Sequence, residues 1–325
     1  MRICLLTHNL REDNGGGVFS RRLVEGFRKK MGAEVTAFTT VGSDAPFEEP
    51  ILSPNIFKLL GALPRLRRAI KTCDVVHAMD AYPYGIIAAL ASLGLKKKMI
   101  ITAVGTGSVQ LLYHRLWPLT RLVKWSYARA AAITAISRFT RDLILAQLPH
   151  LHVSVITPGV DYEKFSVASD EEKKLLGDMV VEDSKGVRHV VRDLEPYVLS
   201  VGSIRWRKGY KRSLKAFARV HEQFPHLRYV IVGKRYSEKF YQELLRITRD
   251  LHLEKSVFIF DRIDALDALR AFYLHAELFC LLSQNFEHDI EGFGMVFLEA
   301  AATGLPVVGS KGNGIEDAMR EGVNG

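Results

Sequence analysis

Two glutamates eight residues apart, Glu291 and Glu299, stand in the run Glu291-Gly-Phe-Gly-Met-Val-Phe-Leu-Glu299-Ala-Ala-Ala-Thr-Gly-Leu-Pro306. Upstream, Gly202-Ser-Ile-Arg-Trp-Arg-Lys-Gly209 carries Arg205, Arg207 and Lys208. Carboxylates accept hydrogen bonds from paired sugar hydroxyls, and a guanidinium fork beside an ammonium suits a diphosphate. Together they fit a phosphorylated polyol. Gly292 and Gly294 leave room for a ligand to approach the main chain around Phe293. The helix expected from Met295 would turn its first amides and its dipole toward an anion. Glu299 falls about one and a half turns into that helix, so one ligand lying along its mouth would meet both carboxylates. A lone pair at this spacing is more simply two exposed helix-end side chains; the length of the run argues otherwise.

The flanking segments must position these groups. Leu278 to Leu282 reads as a buried strand, Ser283 to Ile290 as a polar loop, and Met295 to Thr303 as a helix stopped by Gly304 before Pro306. Leu305 to Val308 restarts a strand. The same alternation runs along the chain. Ile3 to Thr7 is a strand, Asn14-Gly15-Gly16-Gly17 a loop, Val18 to Met31 a helix and Glu34 to Thr40 a strand. A strand ends at His77, a helix spans Ile86 to Leu95, and strands follow at Met99 to Ala103, Ala131 to Ile136 and Val153 to Thr157. The second half repeats the pattern from Tyr197. The fold class is α/β, with two doubly wound, Rossmann-like parallel-sheet domains. The expected limits are 1–165 for the first, 166–195 for a charged linker or peripheral insertion with a hairpin near Lys185-Gly186, and 196–325 for the second. Gly15, Gly16 and Gly17 before a helix suit a phosphate. The third glycine of a Gly-x-Gly-x-x-Gly fingerprint falls at Ser20, which disfavours a dehydrogenase-type site.

The run from Glu291 through Glu299 to Pro306-Val-Val, followed by Gly314-Ile315-Glu316, resembles the Glu-x7-Glu signature of family 4 retaining glycosyltransferases. These have the GT-B fold, two Rossmann-like domains facing across a cleft. Pro158-Gly159-Val160-Asp161 resembles the hinge of that family, one residue short, and Gly202-Ser with Arg207-Lys208-Gly209 resembles its lipopolysaccharide-core-type members. The resemblance implies that Glu291 contacts the transferred sugar and Glu299 the ribose. It also implies that Arg207 and Lys208 bind the diphosphate, with Arg205 a substitute, and that Gly16 and Gly17 face the sugar donor. Gly292, Phe293, Gly294 and Met295 would supply main-chain contacts. The implied reaction moves a hexose from a nucleotide-sugar to a glycan, lipid-linked or lipopolysaccharide-type acceptor, with retention and without an enzyme nucleophile. There is no Asp-x-Asp in the chain, so a metal-independent reaction with no cofactor is expected. The family commonly has a histidine before the glycine at 105; here Val104 stands there, with no group to bond a hydroxyl. The resemblance also implies a further strand and closing helices beyond Gly325, so the second domain reads as incomplete.

Charge separates the halves. Residues 1–165 hold 22 Lys and Arg against 12 Asp and Glu, a net of +10, and the remainder 23 against 24. An anionic membrane surface or acceptor for the first half fits this, as does ordinary solubility charge; no nucleic-acid partner is expected. Two basic amphipathic segments, Ile56 to Thr72 and Val109 to Ala128, suit either a core-facing helix or a lipid surface. The start runs straight into a strand and no apolar run has the length of a membrane span, which places the chain in the cytoplasm, peripheral on the inner face of the membrane if bound there. Three sparse cysteines, Cys4, Cys73 and Cys280, suit a reducing compartment. Three other readings stay open: a nucleotide-sugar epimerase, a sugar phosphorylase, and a non-catalytic, degenerate sugar-nucleotide-binding protein.

Overall fold

The computed structural model describes residues 1–53, 56–114, 117–166, 169–263 and 265–325. The chain divides into two compact units, Met1–Pro158 and Gly159–Gly325. Each is a parallel sheet between helices.

In the first unit the strands are β1 Arg2–Thr7, β2 Glu34–Thr39, β3 Glu48–Glu49, β4 Val75–Met79, β5 Lys98–Ala103, β6 Ala132–Ala135 and β7 Ser154–Val155. Their order is β3-β2-β1-β4-β5-β6-β7, with every neighbouring pair parallel. Strands covered on both faces read as continuous apolar runs, as in Ile3, Cys4, Leu5 and Leu6, all buried. The first helix begins at Gly15 and runs to Met31, so the three glycines form its first turn and are not a loop ahead of it. Asn14 decides this: its Oδ1 accepts from the amide of Gly17 at 2.9 Å, satisfying one orphan donor.

Other boundaries also move. The helix after β4 is Ile86–Ala91, shorter than its apolar pattern. The segment from Val109 to Ala128 divides into helices Thr106–Tyr113 and Trp117–Arg129, with Arg115 and Leu116 outside the described residues. Val109, Leu112, Val123 and Tyr127 of this segment are buried, so its apolar side faces its own core. Ile56 to Thr72 likewise divides into helices Ile56–Gly61 and Leu63–Thr72, with Pro64 in the first turn of the second, where it is tolerated. No described helix is long and apolar enough to cross a membrane.

His77 lies within β4, 6% exposed, with Nε2 2.7 Å from Thr102 Oγ1 and its ring 5.9 Å from that of Phe27. Burial pushes its pKa down to about 4. The sign follows directly. Below the unfolded value of 6.5 the unfolded chain gains a proton that the folded chain refuses until about pH 4, so stability falls with acidification across that window. Between pH 7 and 5 the loss is roughly 2 kcal/mol. Urea unfolding of His77→Gln should show that much less dependence on pH over the interval; an equal slope would disprove it.

In the second unit a helix Asp170–Gly177 and a hairpin, β8 Val180–Glu182 with β9 Arg188–Val190, precede the main sheet. The charged segment is therefore folded onto this unit and is not a free linker. Arg270 Nη2 donates to Glu172 Oε1 at 2.6 Å, and the amide of Ser184 donates to the carbonyl of Ile259 at 2.7 Å. The strands β10 Tyr197–Val201, β11 Arg228–Val232, β12 Val257–Phe260, β13 Leu278–Leu281 and β14 Val307–Gly309 are ordered β12-β11-β10-β13-β14, all parallel. Strand order reverses between β10 and β13. At such a switch point the loops beyond the carboxyl ends of the two strands part and leave a crevice for a ligand.

Candidate active site at the switch point of the second sheet

The loops that leave β10 and β13 carry the charged residues. After β10 the chain makes a turn, Trp206–Lys208, ended by Gly209 in the left-handed region at φ +70°. That turn folds Arg207 and Lys208 inward, to 8% and 9% exposure. After β13 the loop runs through Glu291 to the helix Met295–Ala302, capped by Gly294 at φ +85°.

Glu291 is the centre. One oxygen, Oε2, takes Lys208 Nζ at 2.6 Å, Ser283 Oγ at 2.8 Å and Arg207 Nη1 at 2.8 Å. Burial by itself would raise this carboxyl's pKa; the charges of Lys208 and Arg207 overcome it and hold the group well below the usual carboxylate range. Burial draws the Lys208 ammonium down, against the opposing pull of Glu291. A buried ion cluster of this kind stays charged because its members compensate one another. The expected site and the buried cluster coincide for Glu291, Arg207 and Lys208. Arg205 stands one turn away, its guanidinium 5.0 Å from the Tyr236 ring centre and its Nε buried without a hydrogen bond. Burial, then the neighbouring Arg207 charge, lower its pKa.

The main chain of Glu291 is fixed as firmly. Its amide donates to Asn285 Oδ1 at 3.2 Å and its carbonyl accepts from the amide of Gly314 at 2.9 Å. A Cβ on Gly314 would sit 2.0 Å from the carbonyl oxygen of Gly292, so only glycine allows this clamp. Phe293 is buried at 3% exposure. In the first turn after Gly294 the amide of Phe297 already donates to the carbonyl of Gly294 at 3.0 Å, which leaves the preceding amides of Met295 and Val296 as the ones at the helix start that suit an anion. Glu299 is 8% exposed and accepts from Tyr273 Oη at 3.0 Å. Neither glutamate is an exposed helix-end side chain.

Gly16 and Gly17 lie in the first unit and differ. Gly17 is buried, and a Cβ there would lie 2.1 Å from the carbonyl oxygen of Arg11 and 2.2 Å from Asn9 Oδ1. At Gly16 the nearest atom would be Asn14 Oδ1 at 3.7 Å. Gly16→Ala should leave the melting temperature unchanged or higher, and Gly17→Ala should lower it by several degrees; equal melts would refute the distinction. Val104 packs against the apolar cluster of β1 and β2, and its amide donates to Asp80 Oδ1 at 2.9 Å.

Four polar residues were not singled out from sequence: Ser283, Asn285, Asp289 and Tyr273. Ser283 had a signal, a hydroxyl directly after an apolar strand. The others are loop and helix residues whose role depends on partners far along the chain.

Residues 182–325 match the family described as Glycosyl transferases group 1, and residues 13–164 match Glycosyltransferase Family 4. The chain belongs to the group 1, family 4 glycosyltransferases. The GT-B architecture of that family agrees with Anabaena HepE in complex with UDP-glucose, which is 18% identical with a TM-score of 0.76 over 100% of this chain and 84% of that one. Among curated relatives, the GDP-mannose-dependent alpha-(1-6)-phosphatidylinositol monomannoside mannosyltransferase of Mycolicibacterium smegmatis is 24% identical over 271 residues, 80% of this chain and 65% of its own length. The N-acetyl-alpha-D-glucosaminyl L-malate synthase of Bacillus anthracis is 24% identical over 254 residues, 78% of this chain and 60% of its own. The chain thus spans less than two thirds of the length of these relatives.

Proposed function

We propose that this family 4 chain is a retaining hexosyltransferase that moves a sugar from a nucleotide-sugar to a glycan or lipid-linked acceptor. The observation that carries the reading is the convergence of Arg207 and Lys208 on Glu291 at the switch point of the second sheet. Negative charge develops on the departing diphosphate as the glycosidic bond breaks. Arg207, Lys208, with Arg205 as a substitute, and the amides of the Met295 helix stabilise it by prearranged charge. Glu291 orients the sugar through its hydroxyls and Glu299 holds the ribose. The acceptor attacks from the face that the diphosphate leaves, so configuration is retained without an enzyme nucleophile. The GDP-mannose-dependent phosphatidylinositol monomannoside mannosyltransferase named above supports a nucleotide-sugar donor and a lipid-linked acceptor. Met1–Pro158 is the acceptor domain and Gly159–Gly325 the donor domain, with 166–195 a peripheral insertion folded onto the donor domain.

The test is a panel of UDP- and GDP-sugars assayed for nucleotide release, with the sugar product identified by NMR. Transfer with retention supports the reading. An isomerised nucleotide-sugar would mean an epimerase, phosphorolysis a phosphorylase, and binding without turnover a degenerate binding protein.

The basic first half further supports a cytoplasmic protein docked peripherally on the inner face of the membrane. Sedimentation with vesicles containing phosphatidylglycerol should then weaken as salt rises, because exposed charges are screened. Equal sedimentation with neutral vesicles would rule out this docking.

A further inference from the structure

The loops that leave β10 and β11 are knitted together beside the ion cluster. The amide of Ile204 donates to the carbonyl of Lys234 at 2.8 Å, and the amide of Tyr236 donates to the carbonyl of Ile204 at 3.3 Å. Ile204 pairs with Arg235 in the same parallel register as Val201 with Val232, so the two segments stay neighbours past the ends of their strands. This pairing holds Tyr236 against Arg205, whose guanidinium carbon lies 5.0 Å from the centre of the tyrosine ring. Arg205 in turn lies within electrostatic reach of Arg207, Asp289 and Glu291. One arginine thus connects the ion cluster to an aromatic side chain, and Tyr236 is 72% exposed. Trp206, in the same turn as Arg207, already has partners. The ring of Phe240 lies 4.8 Å from its own, and Lys211 Nζ sits 3.4 Å from its centre.

We infer that Tyr236 is the platform on which the base of the nucleotide donor stacks. The inference rests on the sugar-donor reading given above. A nucleoside diphosphate is an anion at one end and a flat ring at the other. Fixed positive charge suits the first end; the second is held by an aromatic face, since every base has a π-face of its own. Arg205 takes one face of Tyr236 in a cation–π contact, which steadies the ring and leaves the opposite face for the base. Uracil and guanine both stack, so the ring adds affinity and discriminates little between them. A second role for Tyr236 would be support alone, with the ring packing on Arg205 to hold its charge in place. The two roles part on a ligand that has phosphates and no base. A stacking platform leaves the binding of such a ligand unchanged, whereas a support for Arg205 affects it as much as it affects a nucleotide. Phe286, 63% exposed in the loop after β13, is the rival platform.

The experiment is calorimetric titration of the whole chain with UDP, GDP and inorganic pyrophosphate, for the wild type, Tyr236→Ala, Tyr236→Phe and Phe286→Ala. Tyr236→Ala should weaken the tighter-binding nucleotide about tenfold, the effect of one lost base–aromatic stack, and change pyrophosphate by less than about twofold. Tyr236→Phe keeps the ring face and should stay within about twofold of the wild type on every ligand. Phe286→Ala should do the same. Nucleotide binding by Tyr236→Ala as tight as the wild type would overturn the inference. An equal loss of pyrophosphate would also overturn it, by reducing the ring to a support for Arg205. So would a Phe variant as weak as Ala, which would place the effect in the hydroxyl, or a nucleotide loss confined to Phe286→Ala. A wild type that binds neither nucleotide would overturn the donor-site reading and this inference with it.

Discussion

Glu291→Gln should lower sugar transfer by about 10²-fold or more while the chain still folds, the scale of removing one prearranged polar contact from a transition state. The amide keeps the shape of the side chain and one oxygen for Lys208. It cannot neutralise Lys208 and Arg207 together, nor accept at both of its ends, so the cations and the sugar compete for a single acceptor. Glu291→Ala is the less informative variant. It leaves two buried cations without their counter-charge, and breaking a buried pair from one side costs about 3–5 kcal/mol. Initial rates of nucleotide release, read beside thermal melts, separate the two effects. A Gln variant retaining more than a tenth of the wild-type rate would remove Glu291 from the reacting centre.

Gly209→Ala should be the most damaging single methyl in the second unit. The residue adopts φ +70°, and an added Cβ would lie 1.8 Å from the carbonyl oxygen of Leu282. Leu282 begins the loop that carries Ser283 and Glu291, so this methyl pushes the two site loops apart at their roots. Overlap with a main-chain atom cannot be relieved by a rotamer change, and the cost belongs with the exceptional substitutions, above about 4 kcal/mol. Gly304→Ala is the control. It shares the left-handed backbone, at φ +78°, but nothing lies within 4 Å of the new atom. Its cost is conformational alone, about 1 to 2 kcal/mol. Urea unfolding of both variants measures the difference, and similar losses would mean that backbone conformation accounts for both.

Much of the fold was legible because the signals are local. Parallel strands buried on both faces appear as short apolar runs, and helices announce their ends through residues such as Gly304 and Ser137, whose Oγ accepts from the amide of Thr140 at the start of the helix Arg138–Gln147. The errors were also local in origin. Three glycines looked like a loop, yet Asn14 supplies the cap that lets the Gly15–Met31 helix start on them. The charged stretch after Ser169 was open to either a linker or a peripheral insertion because its stabilising partners, Arg270 and Ile259, lie far along the chain, although its hairpin near Lys185-Gly186 was legible.

The sequence by itself determined the alternation of strands and helices, the family, and the charged residue types that the proposed function assigns to a sugar and a diphosphate. It left Glu291 and Glu299 open to an exposed helix-end reading, and for Ser283 it offered only a hydroxyl after an apolar run, with no indication of its partner. Tertiary structure decided those points. Lys208 and Glu291 are 83 residues apart and meet at 2.6 Å because β10 and β13 are neighbours in the sheet. Strand order is a non-local choice, made by packing both faces of the sheet, and no local pattern encodes it. Burial then changes the chemistry of the side chains it brings together. Removed from water, one carboxylate oxygen gathers two cations and a hydroxyl.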